Sequence, residues 1–338
     1  MSLILRRLRT LTNLIKDIAR FTIKRLNNET PYFRPHHYLS FEITPGLFNP
    51  RGPISHNALG FRGPEIEEKT DDTLRIVCMG ESVTYCPGLS HEESYPFRVE
   101  LYLKEHLENK NKNIEVINAA VPGYNTAENL INFIFKIEPL KPDLVVFFET
   151  INDLPSRQYP EVQRDNSGYC LFPGAKKNIR SLRDIVKYFK MQDSVQYQFR
   201  NMFDPERSKD YLFSHNAEHY EANLRDLIAV CRANKCEILL IKPRYRDLNG
   251  TAEDAKTQDP LSYGVYLNRV AIDNLQKTEN VAVLDMMEHM PPPPFSRAQA
   301  NEYYADSVHL SAVGANRFGT VIAKHILDND LLGLKEQT

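Results

Sequence analysis

The fourteen residues RIVCMGESVTYCPG, Arg75 to Gly88, begin as a strand and stop abruptly. Ile76, Val77, Cys78 and Met79 form a nearly continuous apolar run, the pattern of a strand covered on both faces. Gly80 breaks the run, and Ser82 follows between Glu81 and Val83. A serine at the start of a helix commonly satisfies orphan backbone N–H groups, so helix capping is one reading of Ser82. The other is chemistry, because a hydroxyl just past the carboxyl end of a buried strand stands where the active sites of open α/β sheets form.

The pattern repeats outward from this stretch. Apolar runs recur at 74–80, 114–120, 143–150, 236–243 and 281–286. Helical periodicity fills 94–108, 126–138, 219–234, 263–276 and 311–329. Strands alternating with helices of this length predict a parallel sheet with helices on both faces. Residues 155–215 interrupt the alternation with a polar and aromatic insertion that contains one amphipathic stretch near Ser181–Phe199. An insertion of that length after a strand end is a candidate for shaping the substrate site, or a packing elaboration. Residues 30–72, rich in Pro, His, Gly and Asn, read as an irregular lead-in with one or two short strands. The main domain is expected over 73–332. Pro291–Pro294 reads as a stiff polyproline turn.

Composition narrows the class. The chain has 338 residues, 42% hydrophobic and 25% charged, and a formal net charge of −2. That balance argues against a nucleic-acid-binding surface. Cys78, Cys86, Cys170, Cys231 and Cys236 are odd in number and form no CxxC pair, which fits a reducing, cytoplasmic setting better than a disulfide framework. No run approaches the ~18 apolar residues of a membrane span. Residues 1–29 nevertheless read as a basic amphipathic helix: Ile4, Leu8, Leu11, Ile15, Ile18 and Leu26 recur at helical spacing beside seven Lys and Arg residues, with Asp17 the one acid before Glu29. Such a helix can lie on an anionic membrane surface, pack on its own domain or a second subunit, or serve as a transit peptide.

The residues just past each strand carry the chemistry. The first run leads into Gly80-Glu81-Ser82, the second into Val121-Pro122-Gly123, and the third into Thr150-Ile151-Asn152-Asp153. Asp306-Ser307-Val308-His309 precedes the last helix. A parallel sheet gathers these loops along one edge. A serine hydroxyl needs an adjacent base at neutral pH, and imidazole has the suitable unperturbed pKa. Asp306, three residues before His309, could fix the imidazole tautomer and stabilise the imidazolium. The backbone N–H groups of Ser82 and Gly123 and the side-chain amide of Asn152 are candidate donors to an oxyanion. Glycine at 123 allows close approach to the backbone.

This order of motifs resembles the SGNH hydrolases, also called the GDSL esterase/lipase superfamily, over roughly residues 57–329. HEESYPFRVE after Ser82 and Gly314 after His309 add to the resemblance. It implies a flavodoxin-like three-layer α/β/α sandwich with a five-stranded parallel sheet. It also implies Ser82 as nucleophile, His309 as base, Asp306 as its orienter, and Ser82, Gly123 and Asn152 in the oxyanion hole. No cofactor or metal is implied. Glu81 departs from the usual Asp of the pattern, and Thr150 from the usual Gly.

Other residues carry weaker signals. Cys86, four residues after Ser82, would share a helical face with it and could be an alternative nucleophile. His36-His37 lacks a third ligand at metal-site spacing. Arg62 could brace the loop around the site or form a structural salt bridge. His91 and His289 suggest no partner. The expected activity is hydrolysis of an oxygen ester, either a carbohydrate acetyl ester or a short-chain lipid ester, through an acyl-enzyme. An O-acyltransferase with a sugar hydroxyl as acceptor would use the same triad, and a membrane-surface binding protein with a weakly active shell is the non-enzymatic alternative. An oligomer is compatible with the sequence. Deleting residues 1–28 is expected to weaken binding to anionic vesicles while small-ester hydrolysis persists; equal vesicle binding by the truncated chain, measured by co-sedimentation, would remove the surface-helix reading.

Overall fold

The computed structural model describes residues 33–34, 36, 39, 41–47, 55–158, 162–166, 205–247, 260–290 and 297–334. The expected basic N-terminal helix, the amphipathic stretch near Ser181–Phe199 and the proline run at 291–294 lie outside them. Two short strands, β1 (Phe33–Arg34) and β2 (Glu42–Ile43), pair antiparallel in the lead-in. The main sheet comprises β3 (Thr73–Gly80), β4 (Asn113–Asn118), β5 (Leu144–Phe148), β6 (Glu237–Lys242) and β7 (Ala282–Asp285). All four pairings are parallel, in the order β4-β3-β5-β6-β7. The helices are α1 (Ser82–Tyr85), α2 (Tyr95–Leu107), α3 (Thr126–Asn132), α4 (Pro205–Ser214), α5 (Glu218–Ala233), α6 (Pro260–Glu279), α7 (Arg297–Tyr303) and α8 (Ala312–Asp328).

The two-residue period of the strands sorts their side chains between two cores. Ile76, Cys78, Leu144, Val146, Leu239 and Ile241 meet Tyr95, Val99 and Leu103 of α2 and Phe318 and Ile322 of α8. Val77, Met79, Val145, Phe147, Ile238 and Leu240 meet Leu224 and Leu227 of α5 and Ile272 and Leu275 of α6 on the opposite face. This is the expected three-layer α/β/α arrangement. Each fully buried aliphatic or aromatic side chain contributes about 1.5–3 kcal/mol. The helix expected over 126–138 is α-helical only to Asn132. Phe133–Ile137 continues as a π-helical turn that buries Phe133 and Ile137.

The lead-in packs where it matters for the site. Leu39, Phe41 and Ile43 form a small third core with Tyr85, Ala120, Val121 and Tyr124, which belong to the segments leaving β3 and β4. The Tyr124 hydroxyl donates to the Phe41 carbonyl at 2.5 Å. Arg62 pairs with Asn118 as an isolated bridge at the end of β4.

The ends of β3 and β5 come together at Gly80, which stands opposite Phe148 in the register. Gly80 has φ +139°, and a Cβ there would lie 1.8 Å from the Phe148 carbonyl oxygen. Only glycine permits both the backbone conformation and the approach. Gly80→Ala is therefore expected to destabilise the fold by more than about 3 kcal/mol, combining strain and overpacking. A urea-unfolding midpoint indistinguishable from wild type would contradict this reading of the strand end.

Candidate active site

The chain leaves β3 through extended Glu81, which occupies the N-cap position of α1 without a side-chain capping bond. Ser82 is thus the first residue of the helix, not its cap, and its hydroxyl is directed elsewhere. The short helix ends at Cys86, which adopts a left-handed conformation with φ 57°. Arg62 secures that end. Its Nη1 donates to the carbonyls of Tyr85 at 2.5 Å and Cys86 at 2.6 Å, and its Nη2 to the carbonyl of Leu89. The guanidinium also lies 5.1 Å from the centre of the Tyr85 ring. A cation beside helix-terminal carbonyls is electrostatically favourable. Arg62 braces the turn through three carbonyl oxygens.

The loop carrying His309 is shaped by its own aspartate. Asp306 Oδ1 accepts from the backbone N–H groups of Val308 at 2.9 Å and His309 at 2.8 Å. Its Oδ2 lies 2.7 Å from His309 Nδ1. Burial opposes the charge on Asp306, but the backbone and ring bonds from His309 and the Val308 N–H outweigh it and hold the carboxyl below its ordinary range. The ends of the loop are tied by bonds from Ala305 N–H to His309 O at 2.9 Å and from Ser311 N–H to Tyr303 O at 3.0 Å. Ser311 caps α8 by accepting from Gly314 N–H at 3.1 Å. A Cβ at Gly314 would sit 1.9 Å from the Tyr303 carbonyl, so the glycine lets α8 start against this loop.

The ring then reaches across the sheet edge. His309 Nε2 lies 2.8 Å from Ser82 Oγ, although the two residues are 227 positions apart. With Asp306 ionised, Nδ1 carries the ring proton and donates to it, which leaves Nε2 to accept from the serine hydroxyl. Ser82 and His309 are partly exposed, whereas Glu81 beside them is wholly buried.

Gly123 and Asn152 flank the serine turn from the neighbouring strands. Gly123 is partly exposed, with φ +90°, in a turn closed by Tyr124 N–H on Val121 O at 3.2 Å. The Val121 N–H in turn donates to Gly80 O at 3.1 Å, which fastens this turn to the end of β3. The Asn152 amide nitrogen donates to Glu81 Oε2 at 2.8 Å and to the Tyr124 carbonyl at 3.0 Å. Its backbone N–H donates to Glu149 Oε1 at 3.0 Å.

Beneath Asn152 lie three buried carboxyl groups, Glu81, Glu149 and Asp153. Asp153 accepts from the backbone N–H of Thr126 at 2.9 Å and from its hydroxyl at 2.6 Å. Tyr245 donates to Glu81 Oε1 at 3.0 Å. Desolvation and the adjacent Asp153 push Glu149 well above the carboxylate range, and Glu81 adds to the effect. Buried Arg157 stands near Asp153 and Glu149 and bonds to Asn268. Glu149 and Tyr245 carried no signal in the motif reading. Glu149 was detectable in principle, because an acid closing the apolar run DLVVFF must find a donor or a proton.

The remaining candidates separate clearly. Cys86 lies past the end of α1, not on a shared helical face with Ser82. Its thiol donates to Val83 O at 3.2 Å, and burial pushes its pKa up to about 11, which leaves little thiolate for attack at neutral pH. Four cysteines among the described residues are free and buried. No cluster of metal-ligating residues occurs among the described residues, and no helix among them is long and apolar enough to cross a membrane. His91 is half-buried against Phe97 and the backbone of Gly63.

The model of the GDSL-like lipase/acylhydrolase family matches residues 78–317, well over half of the chain, and the chain belongs to that family. It is a serine ester hydrolase by class. No curated protein matches it. Among solved structures it is similar to Axe2, an acetylxylan esterase from Geobacillus stearothermophilus, with 17% identity over 75% of this chain and 94% of that one and a TM-score of 0.46. It is also similar to LAE5, an alpha/beta hydrolase enzyme from the metagenome of Lake Arreo, with 15% identity over 77% and 95% of the chains and a TM-score of 0.46. A third is a protein of the G-D-S-L family from Desulfitobacterium hafniense, with 15% identity over 74% and 98% and a TM-score of 0.42.

Proposed function

We propose that the protein hydrolyses oxygen esters with a short acyl group, on a carbohydrate or a small lipid, through an acyl-enzyme on Ser82. The observation that carries the reading is the unbroken path from Asp306 Oδ2 to His309 Nδ1 at 2.7 Å and from His309 Nε2 to Ser82 Oγ at 2.8 Å. Those lengths lie within the range needed for proton transfer between positioned groups.

In this scheme Ser82 Oγ attacks the ester carbonyl carbon as its proton passes to His309 Nε2. The imidazolium that forms is stabilised by Asp306. The carbonyl oxygen becomes an oxyanion held by the N–H groups of Ser82 and Gly123 and by the Asn152 amide. Collapse expels the alcohol, which takes the proton from His309. Water then attacks the acyl-serine with His309 again as base, and the carboxylic acid leaves as Ser82 recovers its proton. Donors fixed before charge develops are worth more than mobile ones, because they pay no reorganisation cost at the moment of reaction.

Two outcomes test the assignment. A fluorophosphonate should add once to the wild-type chain and not to Ser82→Ala, read by intact mass; labelling of both would place the reactive nucleophile elsewhere. Asn152→Ala should reduce turnover of p-nitrophenyl acetate by roughly 10²–10³-fold, the cost of one oxyanion donor. An unchanged rate would remove Asn152 from the site.

A further inference from the structure

Glu81 has no task in the reaction scheme, yet it is wholly buried immediately before the nucleophile. Among the described residues no Lys, Arg or His forms an ion pair with it. Its backbone is pinned, with its N–H donating to Phe148 O at 3.2 Å and its carbonyl accepting from Tyr85 N–H at 3.0 Å. Its two carboxyl oxygens each take one donor, Tyr245 Oη at 3.0 Å and Asn152 Nδ2 at 2.8 Å. One side chain therefore joins the loops leaving β3, β5 and β6.

The geometry at Asn152 gives this a consequence. An amide nitrogen carries two hydrogens, and both are committed here, one to Glu81 and one to the Tyr124 carbonyl. For Asn152 to serve an oxyanion, one of them must be exchanged. The Tyr124 carbonyl is a neutral acceptor at 3.0 Å in the turn that also holds Gly123, so a developing negative charge competes with it favourably. The terminal torsion of asparagine is soft and roughly two-fold, so an amide without a second anchor turns readily.

We propose that Glu81 is a positioning residue for the oxyanion site: it holds one hydrogen of the Asn152 amide inward, so that the other is presented to the intermediate in place of the Tyr124 carbonyl. This rests on Asn152 acting as an oxyanion donor. The charge state of Glu81 fits the task. Burial, opposed by the Tyr245 hydrogen bond and assisted by the charge of Asp153, pushes its carboxyl up to about 8. The titratable groups around it are Tyr245, Asp153, Glu149 and Tyr95, all acids. At neutral pH the carboxyl is mostly protonated: Oε2 still accepts from Asn152, and Oε1 carries the proton and donates to the Tyr245 oxygen, whereas the ionised carboxylate accepts the Tyr245 hydroxyl. Glutamine reproduces that pattern, and leucine abolishes it.

The test compares kcat and KM for p-nitrophenyl acetate in Glu81→Leu, Glu81→Gln, Asn152→Ala and the double variant Glu81→Leu with Asn152→Ala. Glu81→Leu is expected to lower kcat by roughly 10–100-fold at nearly constant KM, since one donor lost outright costs about 10²–10³-fold. Glu81→Gln should recover most of that loss. The double variant should be no slower than Asn152→Ala alone, because the two residues act through one amide. If Glu81→Leu does not fold, Glu81→Ala, which adds no bulk, takes its place. Losses that multiply in the double variant, or a glutamine variant as slow as leucine, would overturn the proposal. Full activity in Asn152→Ala would instead overturn the reading of Asn152 on which it rests. A stability measurement checks the charge state independently of turnover. Because the folded-state pKa lies above the unfolded value, the favourable protonated form is complete below about pH 4.5 and is lost as pH rises toward 8. The melting temperature of Glu81→Gln should therefore gain on wild type between pH 5 and pH 8, and a constant difference would contradict a neutral Glu81.

Discussion

The site depends on a single close approach, that of Gly80 to the Phe148 carbonyl where β3 and β5 end side by side. This register sends the chain after β3 and the chain after β5 out of the sheet as neighbours. Glu81 can then reach Asn152 across 71 positions of sequence, and Tyr245 reaches Glu81 from the exit of β6. Ser82 is set at the start of a four-residue helix by the same turn. The loops need no long-range interactions of their own to find each other. The strands beneath them, buried on both faces, carry the ordering cost.

Carboxyl groups serve the site in two opposite electrical states. Asp306 is more than half exposed and lies against an imidazole and two backbone N–H groups, which favour its charge. Glu81 and Glu149 are enclosed, near Asp153, and burial drives both toward the neutral form. A charged acid suits the stabilisation of an imidazolium. A neutral, immobile acid suits a scaffold, because it accepts and donates hydrogen bonds without the cost of an uncompensated buried charge. Buried Arg157, close to Asp153 and Glu149, provides the positive charge of that enclosure.

Much of this architecture was legible in the chain because it rests on periodicity. The five apolar runs, their alternation with helices and the break at Gly80 arise from spacing that a parallel sheet imposes, while Gly123, Asn152 and His309 were legible through their chemistry and the family resemblance of their motifs. Ser82 could not be separated from a helix cap by its own neighbourhood; the order of the other motifs, Gly123, Asn152 and Asp306–His309, and the family resemblance they carry separate it. Of the polar bracing only Arg62 was legible, as one of two readings, and not the three carbonyl oxygens it grips, because backbone acceptors leave no mark on the sequence. Tyr245 finds Glu81 across 164 positions through a loop with no motif of its own. The end of the helix at Tyr85 was equally hidden, since Cys86 takes a left-handed conformation that favours glycine or asparagine, and the apparent helical pairing of Ser82 with Cys86 dissolves there.

The central claim is that ester cleavage passes through a covalent bond to one oxygen, activated by an imidazole that a distant loop delivers. Acid quenching of the enzyme during turnover of p-nitrophenyl acetate, followed by proteolysis and tandem mass spectrometry, reads that bond directly. The account predicts an acetyl group on the peptide containing Ser82, localised to the serine. Acetyl on Cys86 or on any other side chain, with Ser82 unmodified while hydrolysis proceeds, would contradict it.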